Sequence, residues 1–280
     1  MEISEFSNLE VLEFYKTLPF NLRESLDDSI KSIRESNPDR LYPGISLFLG
    51  HNISVLEVGC GVGWLSNSIS YMYGSSVVGI DFNPTAIERA QNVARALNLS
   101  TKFLVQDLFL YMPDILFDVV ISFGVLHHTN DCKLGIRRCF ETFTRPGGLA
   151  VIGLYHSYGR QPFLDYFAEM KRKGASEKEM FKKYRLLHSW IQDETQLYSW
   201  FRDQVLNPHE TQHTLKEILP ILESNGMELI ATSINHFQQI DSVESLLEKE
   251  KQYRDIAIQR LNENRYFPGF FIFVARKRNQ

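Results

Sequence analysis

Apolar and polar positions along this chain switch repeatedly between two periods. ISVLEV, residues 53–58, is a short apolar run closed by glycines, which predicts a buried strand. In the following WLSNSISYMY, Leu65, Ile69 and Met72 recur at helical spacing. VVGID, 77–81, predicts the next strand. The helix after it has Asn83 as N-cap, Pro84 at its first position, and Ile87, Ala90, Ala94 and Leu97 as its apolar stripe. TKFLVQD (101–107) and FDVVIS (117–122) read as strands. CKLGIRRCFETF reads as a helix stopped by RPGG, and LAVIGLY, 149–155, as a fifth strand. Strand–helix alternation from about 50 to 155 argues for a parallel sheet covered on both faces, with ligands at the carboxyl ends of its strands.

The second half lacks this rhythm. Residues 156–225 contain no convincing strand. Phe163, Phe167 and Met170 lie at helical spacing, and Ser176/Glu179 and Asp193/Gln196 have capping-box spacing. Aromatic residues crowd this stretch: Phe181, Tyr184, Trp190, Tyr198, Trp200 and Phe201. It predicts a helical insertion. MELIATSI, 227–234, returns to strand, 242–264 reads as one long helix, and FFIFVARK, 270–277, is the last strand. Residues 1–50 read as helical, then irregular around Pro38, Pro43 and Gly44.

Composition narrows the class. Of 280 residues, 44% are hydrophobic, so a core of normal size can form. A net charge of −4 without long single-sign runs does not point to a nucleic-acid partner. Cys60, Cys132 and Cys139 are odd in number and form no C-x-x-C pair, which favours a reducing setting over a disulfide framework. The first 20 residues carry acids where a signal peptide needs basic residues, and no stretch approaches the roughly 18 apolar residues of a membrane span. A soluble cytoplasmic protein is expected.

The chemistry concentrates at strand ends. In VLEVGCGVGWLS a strand ends at Glu57, and Gly59, Gly61 and Gly63 lead into a helix. Glycines there let the backbone turn tightly and approach a ligand, beside the partial positive charge of a helix N-terminus. Asp81 ends the second strand, placed to accept hydrogen bonds from ribose hydroxyls. Asp107 ends the third, where it can meet an adenine amino group. The fourth ends in small and apolar residues beside His127 and His128.

LEVGCGVGWLS, GIDFNPTAIERAQ, QDL, FDVVISFGVLHHT and RPGGLAVIGLY, in this order, resemble the class I S-adenosylmethionine-dependent methyltransferases over roughly residues 50–155. A nicotinamide-binding protein normally shows G-x-G-x-x-G, whereas Trp64 stands at the third glycine here. The resemblance implies an α/β, Rossmann-like seven-stranded mostly parallel sheet with helices on both faces, plus a helical insertion or lid. It divides the chain into an N-terminal segment (1–50) covering the site, a cofactor-binding core (51–155), a substrate-side insertion (156–226) and a completion of the sheet (227–280) with the inserted helix 242–264, a lid or a homodimer-packing element. It also implies S-adenosyl-L-methionine as cofactor. Glu57, Gly59, Cys60, Gly61 and Gly63 would line its methionine part, Asp81 the ribose, Phe82 or Asn83 the adenine flank, Asp107 and Leu108 the adenine edge and face. Phe123 and Gly124 would border the methyl group.

Methyl transfer needs an aligned nucleophile, exclusion of water and, for many acceptors, a base. Candidates are His127, His128, His156, Tyr158 and His209, with Arg160 as a possible anion ligand. The chain reads SFGVLHH where amide N-methyltransferases carry Asn-Pro-Pro-Tyr, which favours a small-molecule acceptor over RNA or protein. A non-catalytic or macromolecule-directed member of the same fold is the alternative. NPHETQH, 207–213, contains H-E-x-x-H, the zinc-peptidase spacing of His209, Glu210 and His213. Thr214 and Glu217 have capping-box spacing directly after it, and Asn207-Pro208 resembles an earlier helix start, so the pattern is expected to span a turn rather than one helix, with no metal bound.

Overall fold

The computed structural model describes residues 3–279. Two short helices come first, α1 (Leu9–Thr17), capped by Asn8, and α2 (Leu26–Arg34), capped by Ser25. The sheet then begins. β1 (Ser54–Val58) turns through three glycines into α3 (Trp64–Tyr73), and β2 (Ser76–Asp81) leads through Asn83 into α4 (Pro84–Ala96). β3 (Lys102–Val105), β4 (Phe117–Phe123), α5 (Cys132–Arg138) and β5 (Thr144–Tyr155) complete the first half. The insertion supplies α6 (Ser157–Arg172), α7 (Glu177–Leu187), α8 (Glu194–Phe201) and α9 (Leu215–Ser224). β6 (Met227–Thr232), α10 (Val243–Lys251), α11 (Tyr253–Asn262) and β7 (Phe270–Lys277) close the chain.

The seven strands lie in the order β3-β2-β1-β4-β5-β7-β6, with β7 antiparallel to both neighbours and the other pairs parallel. Alternate residues face opposite layers, as a pleated strand requires. Leu56, Val58, Val120, Ile152 and Phe273 enter one core with Ile136, Leu215 and Ile218 from α5 and α9. Val55, Val77, Ile121, Val151 and Val274 enter the other with Leu65 and Ile69 from α3. The insertion has its own aromatic core of Phe163, Phe167, Tyr184 and Phe201, joined by Leu261 and Tyr266. Among the described residues no helix is long and apolar enough to cross a membrane. The strand order reverses between β1 and β4, and this places the ligand crevice at their carboxyl ends.

Four local expectations are corrected. The 242–264 segment is two helices, α10 and α11, parted at Gln252. Leu246 from α10 and Tyr253 and Ile256 from the start of α11 pack into the sheet core, whereas Leu261 near the end of α11 packs into the insertion core. RPGG does not end before β5 but lies inside it: Phe117 pairs with Thr144 and Val119 with Leu149, so the extra residues bulge out, with Gly147 at φ +73°. Asp193 caps α8 by accepting from the Gln196 N–H, but the Gln196 side chain donates to Asn21 instead of closing the box. Asn207-Pro208 starts no helix. Asn207 accepts from the His209 N–H, His213 bridges alongside His156, and α9 begins only after Thr214, whose box with Glu217 is complete.

Candidate active site

The glycine turn after β1 serves two purposes. Gly59, Gly61 and Gly63 have φ of +72°, +52° and +75°, a region that favours glycine. A Cβ on Gly63 would come within 2.6 Å of the Ala90 Cβ, so this glycine lets α3 pack on α4. A Cβ on Gly61 would meet nothing within 4 Å. Gly124, at φ +72° after β4, is equally open. The two open glycines face one cavity of about 1370 Å³, which runs from Gln106 and Leu108, past Glu57 and Asp81, to His128 and Tyr155.

Two acids line its middle, Glu57 buried and Asp81 half-buried. Glu57 accepts from the Ser66 N–H at 2.9 Å and from its hydroxyl, and burial pushes its carboxyl up to about 8. Asp81 accepts from the N–H of Gly61 at 2.9 Å and of Asn83 at 2.8 Å, and burial pushes it up to about 6. Asn83 caps α4 while its amide donates to the Tyr15 carbonyl, tying α1 over the crevice.

At the far end, His128 is buried and its Nδ1 stands 2.7 Å from the His209 carbonyl oxygen. A carbonyl only accepts, so Nδ1 carries the proton and the neutral ring has its lone pair at Nε2. Nε2 has no hydrogen-bond partner and lies 3.7 Å from Asp203 Oδ1. Asp203 accepts from the hydroxyls of Tyr15 and, at 3.3 Å, Tyr155. Burial raises its carboxyl above the ordinary range, against the pull of His128. His127, stacked on Tyr155 at 4.2 Å, accepts from the Tyr155 N–H through Nδ1, and burial holds its pKa well below the usual imidazole value.

Ten of the twelve expected cofactor residues line the cavity: Glu57, Gly59, Cys60, Gly61, Asp81, Phe82, Asn83, Leu108, Phe123 and Gly124. Gly63 does not, because it packs against α4. Asp107 does not either. It is buried and accepts from the N–H groups of Ser4 and Phe109, while Gln106 takes the place on the wall.

Of the proposed bases, only His128 lines the cavity. His156 is fully buried: its Nδ1 accepts from the N–H groups of Tyr158 and Gly159 at the start of α6, and its Nε2 stands 3.0 Å from Glu250. Tyr158 is exposed outside the cavity. His209 acts through its backbone carbonyl, and its own Nε2 faces the Thr129 carbonyl at 3.0 Å. Asp203 and Tyr15 were missed, since nothing local in the sequence marks them.

The H-E-x-x-H residues also separate. Glu210 binds Arg160 with both oxygens, at 3.0 and 2.7 Å, and the fully buried Arg160 guanidinium lies 4.0 Å over the Tyr155 ring. Arg160 is thus committed to an internal ion pair. His213 turns to Thr211 and Glu217. Among the described residues no group of three or more His, Cys, Asp or Glu is arranged to hold a metal ion.

Comparison with known proteins gives a consistent picture. The family model described as "Methyltransferase domain" matches residues 49–204. Phosphoethanolamine N-methyltransferase 1 of Arabidopsis thaliana is 32% identical over 121 residues, 43% of this chain and 24% of that protein. Ubiquinone biosynthesis O-methyltransferase of Coxiella burnetii is 33% identical over 95 residues, 34% of this chain and 40% of that protein. The match thus spans between a quarter and two fifths of these relatives' lengths. PKMT2 from Rickettsia typhi, solved in complex with AdoHcy, superposes with a TM-score of 0.61 at 16% identity, over 89% of this chain and 54% of that one.

Proposed function

Since the chain belongs to the class I S-adenosylmethionine-dependent methyltransferases, we propose that it transfers a methyl group from S-adenosylmethionine to a small-molecule acceptor in the cytoplasm. One observation carries this reading: a single cavity joins the glycine turn and its acids to the His128–Asp203 end.

The residues present fit the cofactor. Gly61 and Gly124 leave open the space a Cβ would take. Glu57 offers a buried acceptor and Asp81 a half-buried one on the cavity wall, as a ligand with an ammonium group and ribose hydroxyls requires. Asp81 would accept from the ribose, Glu57 would face the ammonium, and Phe82, Asn83 and Leu108 would hold the adenine. When bound, the cofactor supplies an electrophilic methyl group on its sulfonium. The chain does the rest. Phe123 and Gly124 border the reacting end, Tyr15 and Asp203 close it from above, and the insertion walls the acceptor with Trp200 and Gln204. Excluding water there keeps hydroxide from competing with the acceptor.

A small-molecule acceptor is supported by the similarity to the Arabidopsis phosphoethanolamine N-methyltransferase and the Coxiella ubiquinone biosynthesis O-methyltransferase. It is also supported by the depth of His128 and Asp203, both nearly inaccessible from outside. The free, buried Cys60, Cys132 and Cys139 support the reducing compartment. Calorimetry with S-adenosylmethionine and S-adenosylhomocysteine tests the reading: micromolar binding of both is expected, and no binding of either refutes it.

A further inference from the structure

The methyl-transfer reading leaves the acceptor's chemistry open, and the far end of the cavity narrows it. Resting on that reading, we propose that the acceptor presents a phenol-type hydroxyl, whose proton passes to Nε2 of His128. Two features of the geometry support this. His128 is buried, lines the cavity and holds an Nε2 without a partner. Its Nδ1–H donates to the His209 carbonyl, so the neutral ring carries its lone pair at Nε2, beside Asp203 at the end of the cavity. A buried acceptor atom that no protein group satisfies is matched once a hydroxyl donates to it.

Asp203 decides between acceptor types. Both its oxygens accept hydroxyl protons, from Tyr15 and Tyr155, which is the behaviour of a carboxylate. An amine arriving beside this buried anion is held as ammonium and has no lone pair to attack with. A carboxylate acceptor arrives as a second anion and is repelled. A neutral hydroxyl meets neither obstacle, and the charge that appears on His128 when it takes the proton is balanced 3.7 Å away. An imidazole matches the acidity of a phenol and not that of an alkanol. The rings of Phe123, Tyr155, Phe270 and Trp200 on the cavity wall suit a flat apolar body.

The step balances. The acceptor oxygen forms its bond to the methyl carbon as the carbon–sulfur bond breaks, the hydroxyl proton moves to His128 Nε2, and the products are an aryl methyl ether and S-adenosylhomocysteine. The imidazolium then returns its proton to solvent. The charged and titratable groups facing His128 are Asp203 from the insertion, Tyr15 from α1, Tyr155 from β5 and the adjacent His127, with Arg160 behind Tyr155. His128 is the catalytic residue here, and Asp203 a positioning residue.

The test uses S-adenosylmethionine with 4-methylphenol, 4-nitrophenol, 4-methylbenzylamine and 4-methylbenzoate as acceptors. The two phenols should be methylated and the other two not. His128→Asn keeps a donor for the His209 carbonyl; it should slow 4-methylphenol by about 10²–10⁴-fold and leave S-adenosylhomocysteine affinity unchanged. The loss should be smaller for 4-nitrophenol, whose proton needs less help, and the variant's pH profile should follow ionisation of the phenol itself. Asp203→Asn should move the rising limb of the wild-type profile to lower pH and lower its plateau. Equal losses for the two phenols, an unmoved profile in Asp203→Asn, or preference for the benzylamine or benzoate would overturn the proposal. So would binding of S-adenosylhomocysteine without transfer to either phenol. Failure to bind S-adenosylhomocysteine at all would instead strike the methyl-transfer reading beneath it.

Discussion

Replacing Glu210 by alanine tests what the H-E-x-x-H stretch is for. In the folded chain Glu210 neutralises Arg160 with two charge-assisted hydrogen bonds, and Arg160 has no exposed surface. Without Glu210 the guanidinium keeps the Gln204 carbonyl, at 2.6 Å, and the faces of Tyr155 and Phe163, but no counter-charge. Removing one partner of a buried pair costs about 3–5 kcal/mol. The unfolding entropy of a 280-residue chain is about 0.6 kcal/mol/K, so the melting temperature should fall by about 5–8 °C. The exposed Arg172–Glu169 pair is the control, and Glu169→Ala should leave the melt unchanged. Thermal unfolding followed by circular dichroism, with and without a chelator, is the assay. A double replacement, Arg160→Met with Glu210→Leu, should recover most of the loss, because it leaves no charge unpaired. A Glu210→Ala melt within about 1 °C of wild type refutes the reasoning, and a large chelator effect on the wild type revives the metal alternative.

Three further outcomes are expected. Asp81→Asn should weaken S-adenosylmethionine binding by about 10- to 150-fold, the worth of one hydrogen bond to a charged group; unchanged calorimetric affinity counts against its ribose role. Burial holds the Glu57 carboxyl at about 8, above its ordinary 4.5, so the folded, ligand-free chain binds an extra proton between those values. The Glu57 contribution to stability is therefore full below pH 4.5 and lost as pH rises through about 8, and the wild type should lose ground to Glu57→Gln over that window in denaturant titrations. An ammonium placed beside Glu57 lowers its pKa again, so cofactor binding at pH 7 should release a proton, seen as a buffer-dependent calorimetric heat that Glu57→Gln abolishes. Gly61→Ala should fold with only modest loss of stability yet bind the cofactor poorly, since its Cβ enters open cavity, whereas Gly63→Ala should destabilise the fold, since its Cβ strikes Ala90. Equal effects on melting temperature would contradict this division.

The sheet was legible because its strands are apolar runs bounded by glycines and capped helices, and each such signal is local. The breaks were not. Gln252 is an ordinary helical residue, so no local signal marks the break between α10 and α11, and α11 runs from the sheet core at Tyr253 to the insertion core at Leu261. The glycine-turn half of the cavity was readable for the same local reason, since strand ends and glycine turns place Glu57, Gly61 and Asp81 together. The His128 half is assembled across long sequence distances. Asp203 meets Tyr15, 188 residues earlier, only through packing of the insertion against α1. His156 directly follows the carboxyl end of β5, but it caps α6 and holds Glu250 instead of facing the cavity.

The contact from position 209 to His128 has an evolutionary consequence. The group that sets the imidazole's proton is a peptide oxygen, which every amino acid supplies. Mutation can therefore sample residue 209 widely without erasing the feature, so long as the loop keeps its path through Thr211, whose N–H donates to the His127 carbonyl at 2.8 Å. What fixes the imidazole is the course of the chain rather than a letter of the sequence. Lengthening or shortening the loop by a single residue would move the carbonyl away from His128, whereas an exchange of the His209 side chain leaves that oxygen where it is.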